Sequence, residues 1–455
     1  MNELFPFQKE DVEHLGIKQS VLIANEMGTG KTYEAIDRDR RIRAMRIMGN
    51  PLPTLVIAPL TTLWGTWYES FHEQTGLKVA VLDNKERKRS WEMFRRVNAD
   101  VFIMHWEALR LMPEVSQEEW LHVIADECHR AKNRKAQQTR CLKAIKAVHF
   151  KTAMSGTPVV NRPDELWSIL NWLWPKTYGS YWRFFKQHVE TTSSFARGHQ
   201  YQVIVGPKNL ELLHRALAPY FVRRLKKDVL PQLPEKYYTT IKVDLTPTQR
   251  TAYNQMRDEM IAWIGEQQDE VLPAPVVIAQ LTRLQQFAVA FAEYDGNHIR
   301  LSEPSSKLDA AMEVLDESGD APIVFFSRFK QLITLLEYRL RDKSIPYVAI
   351  TGDVPAQVRT AAVKRFQEGR ARVMVGTIGA GGVGIDLYAA STVVFLDRDW
   401  SPALNAQAED RLHRIGQRNA VQVIDIMARG TVDLGKAQRL ELKKTWIRRI
   451  LGDET

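Results

Sequence analysis

The sequence predicts an α/β fold made of two parallel-sheet lobes, and three observations carry that expectation. The chain has 455 residues, 44% of them hydrophobic, which is more than a single core normally uses. Short apolar runs alternate with helix-length amphipathic stretches in two separate regions, the rhythm of a parallel sheet covered by helices. Between them the rhythm is lost, and a Leu230-Pro231-Gln232-Leu233-Pro234 stretch withdraws two amide donors and stops any helix.

In the first region Ser20 to Ala24, Thr54 to Ala58, Val101 to Met104 and Leu121 to Ala125 read as buried strands. From Asn161 to about Gln286 the character is helical, with Glu165 to Leu173, Asn209 to Val222 and Thr248 to Gly265 as the clearest stretches and no strand rhythm. Strand-like runs return at Ile323 to Phe326, Tyr347 to Ile350, Val373 to Val375, Thr392 to Leu396 and Val421 to Ile426. Beyond Gly435 the sequence is basic and helical. The expected domains are therefore 1–230 and 231–455, with helical insertions after about 160 and over about 245–300.

A formal charge of +9 favours a polyanionic partner, although 26% charged residues make the surface one of mixed sign. Cys128 and Cys141 are the only cysteines, so neither a disulfide framework nor a zinc or other metal cluster is expected. No basic-then-apolar leader opens the chain, and no apolar run reaches the roughly 18 residues of a membrane span. A soluble intracellular protein in a reducing compartment is expected.

The strongest chemical signal follows the first strand: Asn25-Glu26-Met27-Gly28-Thr29-Gly30-Lys31-Thr32, leading into a helix. Glycines allow backbone amides to turn toward phosphate oxygens, Lys31 brings a point charge and Thr32 a hydroxyl for Mg2+. Alone this could be a chance Gly-rich turn. Leu121 to Ala125, however, ends in Asp126-Glu127-Cys128-His129, where Asp126 can hold Mg2+ and Glu127 can polarise the attacking water. The bland alternative makes these two an acidic pair at a helix start. Further on, Ser155-Gly156-Thr157-Pro158 offers small hydroxyls for a relay. The second region carries the glycine-rich Gly376 to Leu387 and then Arg411 and Arg414, three apart and expected on one helical face. They are either a solvated basic pair or arginine fingers for a γ-phosphate, each then worth a factor of about a thousand or more in rate.

With these residues in place, the chain resembles the Swi/Snf family of superfamily-two helicase-like ATPases through nearly its whole length. Phe7-Gln8 resembles the adenine-reading glutamine motif, Asn25 to Thr32 motif I, and Pro59 to Trp67 motif Ia. Asp126 to His129 resembles motif II, Ser155 to Pro158 motif III, and Asp164-Glu165-Leu166-Trp167 the opening of the first helical insertion. Arg223-Arg224-Leu225-Lys226-Lys227-Asp228-Val229 with Leu233 to Lys236 resembles a segment that other helicase families generally lack. Phe325 to Ser327 resembles motif IV, Thr377 to Leu387 motif V, and Asp397 to Pro402 the approach to motif VI. Asn25 departs from a frequent Asp, Thr29 from a frequent Leu, Trp106 from a frequent Tyr, and Ile378-Gly379 from a Thr-basic pair.

The resemblance implies two RecA-like lobes with family-specific helical insertions, and an ATP site with Mg2+ split between them. It implies that Gln8, Gly28, Thr29, Gly30, Lys31, Thr32, Gly384 and Asp386 contact nucleotide. Thr32 and Asp126 would hold the metal, and Lys31, Asp126, Glu127, Arg411 and Arg414 would carry catalysis. Thr61, Thr62 and Trp106 on one side, and Thr377 and Gly381 on the other, would grip DNA. Duplex or forked DNA is the expected partner, read without sequence preference through its phosphates. A minimal motor core without accessory modules is expected, near the family's fork-remodelling branch, a monomer when free, in a bacterial or virus-infected cytoplasm or in a nucleus. A strand-separating DNA or RNA helicase and a non-catalytic nucleic-acid scaffold are the alternatives. The 12 Trp invite a base-stacking reading, but Trp167, Trp172 and Trp174 fall at near-helical spacing and are expected in the core.

Overall fold

The computed structural model describes residues 3–45, 52–82, 96–146, 148–196, 199–266, 274–294, 298–381 and 385–453. Two compact units divide them: 1–191, 204–231 and 445–455 form the first, 192–203 and 232–444 the second. The change-over at Pro231 and Gln232 falls inside the proline-bearing stretch. Thr445 to the C-terminus groups with the first unit, against the expectation of one unbroken second domain from 231 onward.

The first unit is built on seven strands: β1 (Ser20–Ile23), β2 (Thr54–Ala58), β3 (Val79–Leu82), β4 (Val101–His105), β5 (Trp120–Asp126), β6 (Val148–Met154) and a later strand, Phe221–Val222. They lie in the order β3, β4, β2, β5, β6, β1, Phe221–Val222, every pairing parallel. Alternate side chains feed two separate cores. Leu22, Leu55 and Ile57 go to one face, while Val21, Ile23, Val56 and Ala58 go to the other. Both faces are covered, which is why these strands read as unbroken apolar runs. Trp167 and Trp172 are buried in the first of these cores and Trp174 packs against it, as their spacing predicts.

The supposedly helical middle is a correction. It does contain the helices Glu165–Leu173, Leu210–Leu217 and Pro247–Glu266. It also contains a two-stranded sheet, β7 (Val189–Ala196) with β8 (His199–Pro207), and β9, the Phe221–Val222 strand already placed beside β1. A further strand, β10 (Lys236–Val243), has the pattern half-buried, exposed, exposed. Such polar-faced edge strands lack the apolar run that marks a buried one.

The second unit holds β10, β13 (Ile323–Ser327), β14 (Tyr347–Ile350), β15 (Val373–Thr377), β16 (Thr392–Phe395) and β17 (Val421–Ala428), after a small β11 (Phe291–Tyr294) and β12 (Ile299–Ser302) hairpin. The order is β10, β17, β16, β13, β15, β14, again all parallel. Ile323 and Phe325 point into one core, Val324 and Phe326 into the other. Two doubly covered parallel sheets of this kind are the two α/β lobes the sequence predicts. Among the described residues no helix is long and apolar enough to cross a membrane.

Candidate active site

Strand register assembles the core of the first unit's site. β6 sits between β1 and β5, with Met154 opposite both Ile23 and Asp126. The chain therefore leaves all three strands at the same level, so that the loop after Ile23, the turn at Ser155 and the acidic pair at Asp126 emerge side by side. The carboxyl edge of a parallel sheet is where α/β proteins hold ligands.

After β1 the loop turns through Gly28 at φ 78° and Gly30 at φ 84°, conformations that L side chains rarely adopt. Gly30 is needed twice over, because a Cβ there would lie 2.5 Å from Gln8 Nε2. Gln8 donates to the carbonyls of Thr29 at 2.8 Å and Gly30 at 3.4 Å, and accepts from the Phe5 amide at 2.9 Å. Lys31 opens the helix Lys31–Ala44, its ammonium donating to the Asn25 and Glu26 carbonyls at 2.9 and 3.0 Å. The Thr29 hydroxyl donates to the same Glu26 carbonyl at 2.8 Å, and Thr32 is half-buried in the helix's first turn. Burial holds Lys31 below the ordinary ammonium range, against the pull of Glu127, Asp126 and Glu34.

The departure at Asn25 has a local cause. Its amide donates to Asp11 at 2.8 Å and to both Glu34 oxygens at 3.0 Å. Glu34 is pushed up to about 8 by burial and by Asp11, with the Asn25 amide opposing. An aspartate at 25 would put a third carboxyl group into this buried cluster and remove the donor that separates the other two.

Asp126 is fixed from several sides. Trp67 donates to its Oδ2 at 2.9 Å, the Glu127 amide to its Oδ1 at 2.8 Å, and Trp106 to its backbone carbonyl at 2.8 Å. Burial and the neighbouring Glu127 push its carboxyl up to about 7, with Trp67 and Lys31 opposing. Glu127 has φ 49°, a left-handed backbone that is costly for a residue other than glycine. Ser155 donates to Glu127 Oε2 at 3.2 Å, and His129 Nδ1 lies 2.9 Å from Ser155 Oγ and 3.1 Å from Glu127 Oε2. Glu127, His129 and Ser155 thus form one polar cluster joining the acidic strand end to the Ser155 turn.

Of the expected DNA contacts, Trp106 and Gly381 are buried. Trp106 is fully buried and spends its only donor on Asp126, so it presents no surface to a strand. Trp67, at the end of the motif Ia segment, is buried as well. Gly381 is buried against the Phe326 ring, so its missing side chain serves packing. Thr62 donates to the Pro59 carbonyl at 3.0 Å, the Thr61 hydroxyl is a buried polar atom without a hydrogen-bond partner, and Thr377 is half-buried at the end of β15.

In the second unit the helix Pro402–Glu409 stops before Arg411, and residues 411–416 run through turns. The expected shared helical face is therefore absent, although both arginines remain half-exposed. Arg414 pairs with Asp386, and the Arg411 carbonyl accepts from the Leu387 amide at 2.9 Å. Gln417 ties this turn to the preceding loop, donating to the carbonyls of Tyr388, Ala390 and Leu412 at 3.2, 2.8 and 3.2 Å. Gly384 lies outside the described residues.

Sequence reasoning missed the structural parts of Trp67, Asp11 and Glu34. Trp67 and Phe71 stand four apart and both are buried, a helical spacing that signals an inward face. The polar residues carry no such signal, since their partners are remote in the chain.

Residues 11–289 match the SNF2-related domain family, and residues 306–416 match the helicase conserved C-terminal domain. The chain belongs to the SNF2-related family. It is 28% identical over 437 residues to an uncharacterized ATP-dependent helicase of Mycoplasma pneumoniae, covering 94% of this chain and 40% of that protein. To the ATP-dependent helicase brm of Drosophila melanogaster it is 28% identical over 445 residues, covering 90% of this chain and 27% of that one. A solved SWI2/SNF2 ATPase core from Sulfolobus solfataricus in complex with dsDNA aligns with 99% of this SNF2-related chain and 93% of its own, at 24% identity and TM-score 0.44. The chain spans less than half the length of the curated relatives it matches.

Proposed function

We propose that this SNF2-related chain is a DNA-stimulated ATPase that couples hydrolysis to movement along duplex or forked DNA. The observation that carries the reading is the common level at which β1, β5 and β6 end, which gathers the Lys31 loop, Asp126, Glu127 and Ser155. In this reading the loop amides and Lys31 take the phosphates, Lys31 exchanging its two carbonyl contacts for phosphate oxygens. Glu127, held by Ser155 and His129, orients the attacking water.

Thr32 and Asp126 are the residues that would hold Mg2+. Both offer hard oxygen donors, and Mg2+ sites of this class use one or two protein oxygens plus water and phosphate. Burial, and then the neighbouring Glu127, raise the Asp126 carboxyl, and a divalent cation would relieve that electrostatic load. When bound, the cation would neutralise charge on the phosphates.

Arg411 and Arg414 would complete the site on the γ-phosphate, with Arg414 leaving Asp386 to do so. The net charge of +9 fits a phosphate-backbone partner. Placement in a bacterial or host-cell interior belongs to the same proposal. The test is hydrolysis measured without polymer and with single-stranded DNA, duplex DNA, forked DNA or RNA, using Lys31→Ala and Glu127→Gln as controls. Stimulation by duplex or forked DNA, lost in both variants, is the expected result. Stimulation by RNA alone transfers the reading to an RNA helicase, and no hydrolysis at all favours a nucleic-acid scaffold.

A further inference from the structure

Arg223 follows β9 and uses its guanidinium on three segments at once. Nε and Nη2 donate to the two oxygens of Asp453 at 2.9 and 2.8 Å. Nη1 donates to the Ala24 carbonyl at 2.6 Å and to the Gly156 carbonyl at 3.0 Å. Both charged side chains are nearly excluded from water, at 12% and 9% exposed. A bidentate, desolvated arginine–carboxylate pair fixes direction as well as distance.

The two carbonyls it grips are the roots of the candidate site. Ala24 is the last residue before the phosphate loop, and the loop's first part lies along the Arg223 segment. The Ala24 amide donates to Val222 at 2.8 Å, the Glu26 amide to Arg224 at 2.9 Å, and the Lys226 amide to the Glu26 carboxylate at 2.7 Å. Gly156 abuts the middle of the same loop, where a Cβ would come within 2.7 Å of Met27 Cγ and 3.1 Å of Met27 N. Because Lys31 hangs from the Asn25 and Glu26 carbonyls, any shift of these roots moves its ammonium.

Asp453 is itself placed by a helix ending. Gly452 takes φ 77°, its amide reaching the Arg449 carbonyl at 3.4 Å, while the Asp453 amide reaches Arg448 at 2.9 Å. This is the left-handed glycine stop that closes a helix and aims the next residue. Just before it, the Ile450 carbonyl accepts from His214 at 2.9 Å, and the Ile450 side chain is buried in the core.

We infer that Arg223 and Asp453 are a positioning pair for the nucleotide: the carboxylate orients the guanidinium, which holds the roots of the phosphate loop and of the Ser155 turn in register. Neither residue touches the reacting atoms. The inference rests on the phosphate-loop reading proposed above and adds a residue remote from every recognised motif.

The experiment compares Asp453→Asn, Asp453→Glu, Gly452→Ala and Lys31→Ala in the full chain. The readouts are a fluorescent ATP analogue titration, steady-state KM and kcat for ATP, and amide exchange over residues 24–31. Asp453→Asn is expected to weaken nucleotide binding and raise KM roughly 10-fold or more, with a smaller change in kcat and faster exchange in the loop. Asp453→Glu should recover part of the loss, and Gly452→Ala should follow Asp453→Asn in weaker form. Unchanged KM and loop exchange in Asp453→Asn, with Lys31→Ala dead for nucleotide binding, overturn the positioning pair while leaving the site intact. Nucleotide binding that survives Lys31→Ala instead overturns the site reading beneath it. If Asp453→Asn fails to fold, Gly452→Ala and Asp453→Glu decide by the same split between KM and thermal stability. A lowered melting temperature at normal KM counts against the pair.

Discussion

The two units present their candidate nucleotide groups in opposite ways. In the first, Lys31 and Asp126 are buried and Glu127 is half-buried, anchored at the ends of adjacent parallel strands and braced by Trp67, Gln8 and Ser155. In the second, Arg411 and Arg414 lie in turns beyond a helix end, half-exposed, with Arg414 engaged by Asp386. One half is held by a hydrogen-bonded lattice, so its geometry exists before any ligand arrives. The other is made of long side chains in turns, and at Arg414 a ligand must compete with Asp386 for the guanidinium. On the proposed reading the first half takes the phosphates, and the second supplies its positive charge only once a ligand competes for it.

That contrast can be broken from either side. Lys31→Ala should remove nucleotide binding and lower phosphate release by about a thousandfold or more, since the loop has no substitute charge. Arg411→Ala and Arg414→Ala should each lower kcat by up to about a thousandfold while nucleotide affinity changes little. A large loss of nucleotide affinity in either arginine variant would mean that the second unit is as prebuilt as the first.

A finer cut comes from the tryptophans. Trp67→Phe keeps an aromatic ring, although a smaller one, and strips a donor from Asp126, for an expected fall in kcat of about 10-fold, a hydrogen bond to a charged group being worth about 1.5–3 kcal/mol. Trp106→Phe should cost about 1–2 kcal/mol in urea unfolding by orphaning the Asp126 carbonyl, with the salt dependence of DNA binding unchanged. A specific loss of DNA affinity at normal stability would return Trp106 to the nucleic-acid face.

The smallest effect concerns the second unit's interior. Burial lowers Lys436 to about 8, against Asp397 and Asp433. Its folded value lies below its unfolded one, so between about pH 8 and 10.5 the unfolded chain binds the extra proton and stability rises with pH. The difference between wild type and Lys436→Met in thermal unfolding should show that rise, and a flat difference curve would place the ammonium in contact with water.

What could be read from the sequence follows the same division. Val101 to Met104 and Leu121 to Ala125 announce themselves because a strand covered on both faces is apolar at every position. The acidic pair then becomes legible as the residues that follow such a strand. β7 escapes because its polar positions outnumber the apolar ones, while β10 interleaves lysines and threonines with its apolar residues and β8 offers only the three-residue run Val203 to Val205. Trp106 was misread because a motif position tells where a residue stands in the chain and leaves open whether its ring faces water or core. The arginine pair was misplaced on a helix because a spacing of three is equally compatible with a turn, and nothing local marks Glu409 as the last helical residue.

The strand register has a consequence for folding. The groups that would meet a nucleotide come from 20–23, 120–126 and 148–154, joined only through pairings between segments remote in the chain. Such a site cannot pre-exist in a collapsed or half-zipped intermediate, because long-range sheet pairing is formed at a high loop-closure cost. A ligand held there recognises the completed sheet alone. Nucleotide at about a hundred times its Kd would therefore add about 2.7 kcal/mol to unfolding, making a thermal melt a direct gauge of occupancy.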